Sequence, residues 1–427
     1  MLVDGARGLR CRTPPRHALL AESLGKPSLW VITKDHWYLT EGQGNVMPLK
    51  VASRGQVPPF IVMDVMRAAN ERAAAGEDVL HLEIGQPGTP APRAVLDAAR
   101  RALEEDRIGY TDAHGIPPLR DRLARHYREA YGVEIDPDRI MVTTGSSGGF
   151  LLGFLAAFDI GDRVALAAPG YPAYRNILTS LGVEPVLLPT EAEHRFQPTP
   201  ELLDRVEGPL HGLIVASPSN PTGTMLDRAA LGVLADYCDA RDIRLVSDEI
   251  YHGICYGARA VSALEFGDRA LVISSFSKYY SMTGWRLGWM VMPEDLLRPV
   301  ECLGQNLFIS APTLSQFAGL AALDCQEVLD GYVAAYARNR ELLLGQLPQA
   351  GFDRLAPADG AFYLYAEVSH LTNDSEAFCR RMLAETGVAA TPGVDFDPER
   401  GNRYLRFSFA GPEAEMAEAA RRLKAWL

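Results

Sequence analysis

Residues 213–251 read LIVASPSNPTGTMLDRAALGVLADYCDARDIRLVSDEIY. An apolar run at 213–216 stops at a turn of serine, proline, asparagine and glycine. A helical pattern fills 228–240, and a second, largely apolar run at 243–247 stops at Asp248-Glu249. Neither run alternates apolar with polar residues, which is how strands covered on both faces look. Strand, helix and strand in that order build a parallel α/β sheet.

The alternation extends to both sides. Further strand candidates are 79–84, 140–143, 164–167, 185–188, 271–274 and 287–292, with helical stretches at 91–105, 118–131 and 175–181. After residue 311 the pattern changes to long amphipathic helices at 327–347 and 375–386 around short strands at 361–367 and 404–408. With 427 residues, the chain is too long for one ordinary core. The expected division is a loose N-terminal extension over 1–47, an N-terminal arm and part of a smaller domain over 48–80, a large domain over 81–310, and the rest of the smaller α+β domain over 311–427.

Composition excludes several classes. Hydrophobic residues are 47% and charged residues 22% of the chain, a balance that supports a large core. The net charge of -12 argues against nucleic acid, which needs concentrated Lys and Arg. No apolar run approaches the roughly 18 residues of a membrane helix. The cysteines (Cys11, Cys238, Cys255, Cys302, Cys325, Cys379) are scattered without a CxxC pair. No metal is expected, and a reducing cytoplasm fits best. Between Met1 and Leu20 four arginines face one acid, and no apolar segment of a secretory signal follows. A transit-like leader and an alternative start at Met47 are both open readings of this segment.

Only Lys26, Lys34, Lys50, Lys278 and Lys424 are lysines among 42 strongly basic residues. A chain that uses arginine almost everywhere keeps one lysine between positions 51 and 423. Arginine stays protonated, whereas lysine can lose its proton and attack a carbonyl. Lys278 therefore stands out from an ordinary solvated lysine.

In an open parallel sheet, ligands bind beyond the carboxyl ends of the strands. The residues where apolar runs stop are accordingly the candidate site. Thr143-Thr144-Gly145-Ser146-Ser147-Gly148-Gly149 opens a helix, and small residues there let backbone N–H groups approach a phosphate. A plain strand-to-helix turn reads equally well. In Ser217-Pro218-Ser219-Asn220-Pro221-Thr222-Gly223, an asparagine boxed by prolines suits an oriented hydrogen-bond partner, with a structural turn as the alternative. Asp248 at a strand end is costly unless it meets a cation or a donor. A protonated pyridine nitrogen would serve, and Tyr251 could reach the ring oxygen; a helix N-cap is the competing reading. Residues 274–288 set Ser275, Ser277, Lys278 and Arg286 close together, hydroxyls and arginine for a phosphate and lysine for an aldehyde.

Taken in order, Asn-Pro-Thr-Gly, Asp-x-x-Tyr, and Ser-x-Ser-Lys followed eight residues later by Arg resemble the class I/II aminotransferases, the aspartate aminotransferase-like enzymes of pyridoxal 5'-phosphate (PLP) fold type I. The resemblance covers nearly everything from Pro58 to Leu427. It implies a mostly parallel seven-stranded sheet in the large domain and a smaller α+β domain built from both chain ends. It also implies that Lys278 forms the internal aldimine and shuttles protons, that Asp248 pairs with the pyridinium nitrogen, and that Tyr251 and Asn220 bond the ring oxygen. Tyr171 would stack on the ring. Ser146, Ser147, Ser275 and Arg286 would hold the phosphate, Gly148 and Ser277 would also contact the cofactor, and Tyr110 would reach the phosphate of a partner subunit in a homodimer. Arg406 would clamp the substrate carboxylate under a loop containing Gly85. The reaction implied is ping-pong transfer of an amino group between small-molecule amino acids and 2-keto acids.

Other reactions on the same scaffold, such as a carbon–sulfur β-lyase, a decarboxylase or a cyclopropane-forming synthase, share these residues. A non-catalytic DNA-binding regulator fits poorly, because the leader is short and only mildly basic. A Rossmann dehydrogenase lacks its glycine fingerprint. Dicarboxylate-specific relatives supply a second cation in segments resembling 302–312 or the loop at Ser147, and neither segment has a basic residue here. A neutral or aromatic amino donor is therefore expected, with Tyr171, Phe308 and Phe362 as apolar walls and Arg54 and Arg175 as the arginines that could overturn this.

Overall fold

The computed structural model describes residues 28–33, 36–41, 49–105 and 108–427. Residues up to Ser53 fall in one unit and Arg54–Leu427 in another. Within the segment expected to be loose, Ser28–Thr33 and His36–Glu41 pair as an antiparallel hairpin, and the rest of 1–47 lies outside the described residues.

The second unit is built on a seven-stranded sheet. Its strands are β1 (Ile140–Thr143), β2 (Arg163–Ala168), β3 (Glu184–Pro189), β4 (Gly212–Ala216), β5 (Arg244–Asp248), β6 (Leu271–Ser275) and β7 (Gly288–Val291). The spatial order is β1-β7-β6-β5-β4-β2-β3. All neighbours are parallel except β7, which runs against both β1 and β6. Because β7 is reversed, its first residue, Gly288, pairs with Thr143 and Ser275, the last residues of its neighbours. Arg286 thus arrives at the same sheet edge where β1, β5 and β6 end.

Both faces are covered, which explains the continuous apolar runs. Leu245 and Val272 pack on one side with Leu119 and Leu231 of the helices Pro117–Tyr131 and Arg228–Asp239. Val246 and Ile273 pack on the other with Phe150 and Leu178 of the helices Gly145–Ala157 and Pro172–Leu181. Each large side chain buried this way contributes about 1.5–3 kcal/mol.

A four-stranded antiparallel sheet forms a second layer: β8 (Arg354–Leu355), β9 (Tyr363–Glu367), β10 (Thr391–Pro392) and β11 (Tyr404–Ser408), in the order β8-β9-β11-β10. It shares a core with the helices Gln326–Gln346, Ser375–Thr386 and Glu413–Trp426. The chain's earlier part joins this lobe. Ala69 of the helix Ile61–Ala74 packs on Leu383 and Ala389. The run expected as a strand over 79–84 yields only Leu80–His81, which pairs with Val388–Ala389 outside the large sheet. Leu80 and Leu82 are buried in the second core, so their burial is satisfied there.

The change of core does not fall at residue 311. Ala318 and Ala322 of the helix Thr313–Ala322 are buried with the large sheet, as is Leu329. Tyr336 and Leu343, further along the helix Gln326–Gln346, belong to the second core.

The helix Ile61–Ala74 has no capping side chain of its own at Phe60. Asp395 supplies one from across the chain, Oδ1 accepting from the Ile61 N–H at 3.1 Å and Oδ2 from the Val62 N–H at 3.2 Å. Asp395→Ala is expected to lower stability by about 1 kcal/mol, the usual worth of an N-cap. Urea unfolding checks the loss, and hydrogen exchange should speed up at Ile61 and Val62 first.

Candidate functional site

Asp248 ends β5 with 4% of its surface exposed. It is not a helix N-cap, since a turn follows rather than a helix. Oδ1 accepts from the Ile250 N–H at 3.0 Å, and Oδ2 accepts a short bond from the Tyr174 hydroxyl. Burial pushes the carboxyl up to about 6, opposed by the Tyr174 and Ile250 bonds and by the charge of Lys278. The adjacent Glu249 takes donors from Ser247, Ser262 and Ala263, and burial pushes it up to about 8.

Lys278 lies just past the end of β6, and its Nζ donates to the Gly85 carbonyl. The ammonium also sits 5.8 Å from the Tyr251 ring centre and 5.9 Å from that of Phe362. Burial, then Arg406 and Arg286, push it down from the ordinary 10.5 to about 8, with Asp248 working the other way. Gly85 is required by this packing, because a Cβ there would come within 2.3 Å of the Tyr363 hydroxyl.

Arg406 comes from β11 and is 3% exposed. It donates to Asn220 Oδ1 at 2.8 Å, to the Glu83 carbonyl at 2.5 Å and to Thr391 Oγ1 at 3.1 Å. Its guanidinium lies 4.4 Å from the Tyr363 ring centre and 4.8 Å from that of Phe396. Only an oxygen can receive the arginine's N–H, so the Asn220 amide nitrogen is left as a donor. Tyr251, buried nearby, shares a 2.7 Å hydrogen bond with the Tyr363 hydroxyl. Tyr171 meets Tyr174 edge-on at 5.3 Å and Phe60 at 5.7 Å.

The phosphate-loop candidates sit where the reversed β7 enters. Gly145 has φ +68°, and a Cβ there would approach Arg286 Nη2 to 2.4 Å. A Cβ on Gly288 would meet Gly145 C and Ser146 N at 2.8 Å. Bare backbone therefore faces a guanidinium at the start of a helix with no side-chain cap and no acid in its first turn. That cradle suits an anion and fits the phosphate of PLP. Arg286 is exposed, held by one bond to the Thr283 carbonyl at 3.0 Å. Ser146 and Ser147 are in the helix's first turn, and Gly148 is buried behind them. Ser275 bonds the Leu287 carbonyl at 3.0 Å and Ser277 Oγ at 2.8 Å, and accepts from the Ser277 N–H, so the pair braces the turn before Lys278.

Other residues named from the sequence lie outside this cluster. Tyr110 is 84% exposed, on a loop pinned to Ser310 and Thr313 rather than to these groups. Phe308 packs on the core around Met290. Arg54 is exposed, and Arg175 donates to the Asp395 carbonyl at 2.7 Å. The sequence reading missed Tyr174, Tyr363, Thr391 and Phe396. Tyr174 was within reach, being one helical turn after Tyr171; the other three enter through long-range packing. Among the described residues no cluster of metal-ligating side chains occurs, and no helix is long and apolar enough to cross a membrane.

The same two-lobed arrangement occurs in solved aminotransferases of PLP fold type I. A crystal structure of an aminotransferase from Mycobacterium tuberculosis aligns at a TM-score of 0.87 and 52% identity, over 88% of this chain and 99% of that one. Aspartate aminotransferase from Thermus thermophilus with maleate aligns at 0.84 and 32% identity, over 88% and 100%. The chain belongs to the class I and II aminotransferases, whose family profile matches residues 77–423, and it is a PLP-dependent aminotransferase. Among curated relatives, valine–pyruvate aminotransferase of Mycobacterium tuberculosis is 52% identical over 382 residues, 88% of this chain and 98% of that protein.

Because the fold lowers the Lys278 value, the lysine's contribution to stability is present above about 10.5 and lost as pH falls through about 8. Cofactor-free Lys278→Met should therefore melt higher than cofactor-free wild type at pH 7. The gap should narrow near pH 10.5, and an equal gap at both values would contradict the assigned cause.

Proposed function

We propose that this aminotransferase moves the amino group of a neutral L-amino acid to a 2-keto acid, both half-reactions using the site around Lys278 in turn. The observation that carries the reading is the convergence of Lys278, buried Asp248 and buried Arg406, with no further cation beside Arg406 among the described residues to receive a side-chain carboxylate. Arg175 donates to the Asp395 backbone carbonyl. A relative named for valine and pyruvate supports a neutral donor.

When bound, the cofactor supplies an aldehyde for the amino group and a protonated ring that draws electrons from Cα. Lys278 is the residue that would hold it, and with its value down at about 8 a neutral amine is available to take the Cα proton and return it. Asp248 would face the ring nitrogen, Asn220 Nδ2 and Tyr251 would donate to the ring oxygen, and Tyr171 would cover a face. Ser146, Ser147, the backbone at Gly148, Ser275 and Arg286 would hold the phosphate, with Ser277 bracing the turn. The planar fork of Arg406 suits bidentate grip of the substrate carboxylate, which orients the Cα–H bond, beneath the loop carrying Gly85. We place the enzyme in the cytoplasm as a homodimer, with Tyr110 serving the partner's phosphate.

The test is amino exchange into pyruvate and 2-oxoglutarate from alanine, valine, methionine, phenylalanine and aspartate. Neutral donors should lead aspartate in kcat/KM by tenfold or more. Aspartate in front by the same margin would sink the neutral-donor reading.

Sharing of sites makes a separate prediction. Tyr110→Phe and Lys278→Ala subunits, mixed under exchange, would form dimers with one site complete and the other doubly defective. Activity should rise above both parents; no rise, or full activity from a monomer, would remove Tyr110 from the partner's site.

A further inference from the structure

We propose that Tyr174 is a positioning residue of this active site, holding the Asp248 carboxylate in the rotamer and charge state that receive the cofactor ring nitrogen. The inference rests on the reading of Asp248 as that nitrogen's partner.

Three observations carry it. The Tyr174 hydroxyl donates to Asp248 Oδ2 while the Ile250 N–H donates to Oδ1, so each oxygen has one fixed donor and the carboxylate cannot rotate without breaking both. Tyr174 itself cannot swing away: it is 4% exposed, its ring wedged edge-on between Phe150 at 5.1 Å and Tyr171 at 5.3 Å. Finally, Tyr171 and Tyr174 lie on one turn of the helix Pro172–Leu181 and at its N-cap, so the element that presents a ring to the cofactor face also supplies the phenol that orients Asp248.

The chemistry follows from these contacts. A carboxylate buried this deeply tends to keep its proton. An acid that keeps it cannot stabilise a pyridinium. A phenol donor favours the charged form, and burial raises the Tyr174 hydroxyl well above 10, so it stays a donor throughout the working range. The remaining lone pairs of Asp248 stay available for one more donor, which the ring nitrogen provides.

The test compares cofactor-loaded wild type with Tyr174→Phe, Asp248→Asn and the double variant. The phenylalanine keeps the ring between Phe150 and Tyr171 and removes one oxygen. The readout is the rate of cofactor loss after dilution into a scavenger, followed by the visible absorbance, from pH 5 to pH 9. Tyr174→Phe should release cofactor at least tenfold faster, with the acid-side midpoint of retention moved to higher pH, because the unassisted carboxylate takes its proton earlier. In the Asp248→Asn background the same change should matter less than twofold. A Tyr174→Phe protein within twofold of wild type across the range overturns the inference, as does an equal effect in both backgrounds, which would mean packing alone. Asp248→Asn retaining cofactor like wild type would instead overturn the reading of Asp248 on which it rests.

Discussion

Asp248 is a carboxylate at the end of a buried strand, and a charge taken out of water there costs several kcal/mol unless donors and cations face it. The surrounding arrangement answers that cost in parts. A backbone N–H two residues on and a phenol from another helix supply donors, while Lys278 on the next strand end supplies opposite charge. Burial still holds the carboxyl above its ordinary value, and a further cationic partner would bring it down. The parallel sheet makes this economical, because successive strand ends deliver their polar residues to one edge.

The reversed β7 has a second consequence at that edge. It brings Arg286 back to the strand ends and lays Gly288 against Gly145 and Ser146, so the anion cradle is assembled from two segments distant in sequence. Close approach needs glycine on both sides, one with φ +68°. From the other side, Arg406 of the small sheet reaches Asn220 in the loop after β4 and the Glu83 carbonyl from the early part of the chain. The two cores therefore meet in a hydrogen-bonded contact at the site, and Arg406 is a tie between lobes.

Much of this was legible from residues alone. The helix Ser375–Thr386 and the strand Tyr404–Ser408 fall where the pattern put them, and the helix Arg228–Asp239 differs by one residue at its end. Lysine scarcity singled out Lys278, and the acid at a strand end singled out Asp248. The bond from Ser275 to the Leu287 carbonyl joins segments twelve residues apart, and nothing in the sequence signals it. Tyr110 and the donor's side-chain pocket were read only through resemblance.

Local sequence determined the elements, the sheet edge where chemistry would gather and the residue types able to perform it, because apolar periodicity and strand-end polarity are properties of contiguous residues. Tertiary structure alone decided the partners. Asp395 caps a helix more than 330 residues earlier, Tyr363 meets Tyr251 across 112 residues and Arg406 meets Asn220 across 186. Such contacts depend on how two cores dock and where each strand's register falls, and no spacing within a single segment encodes them.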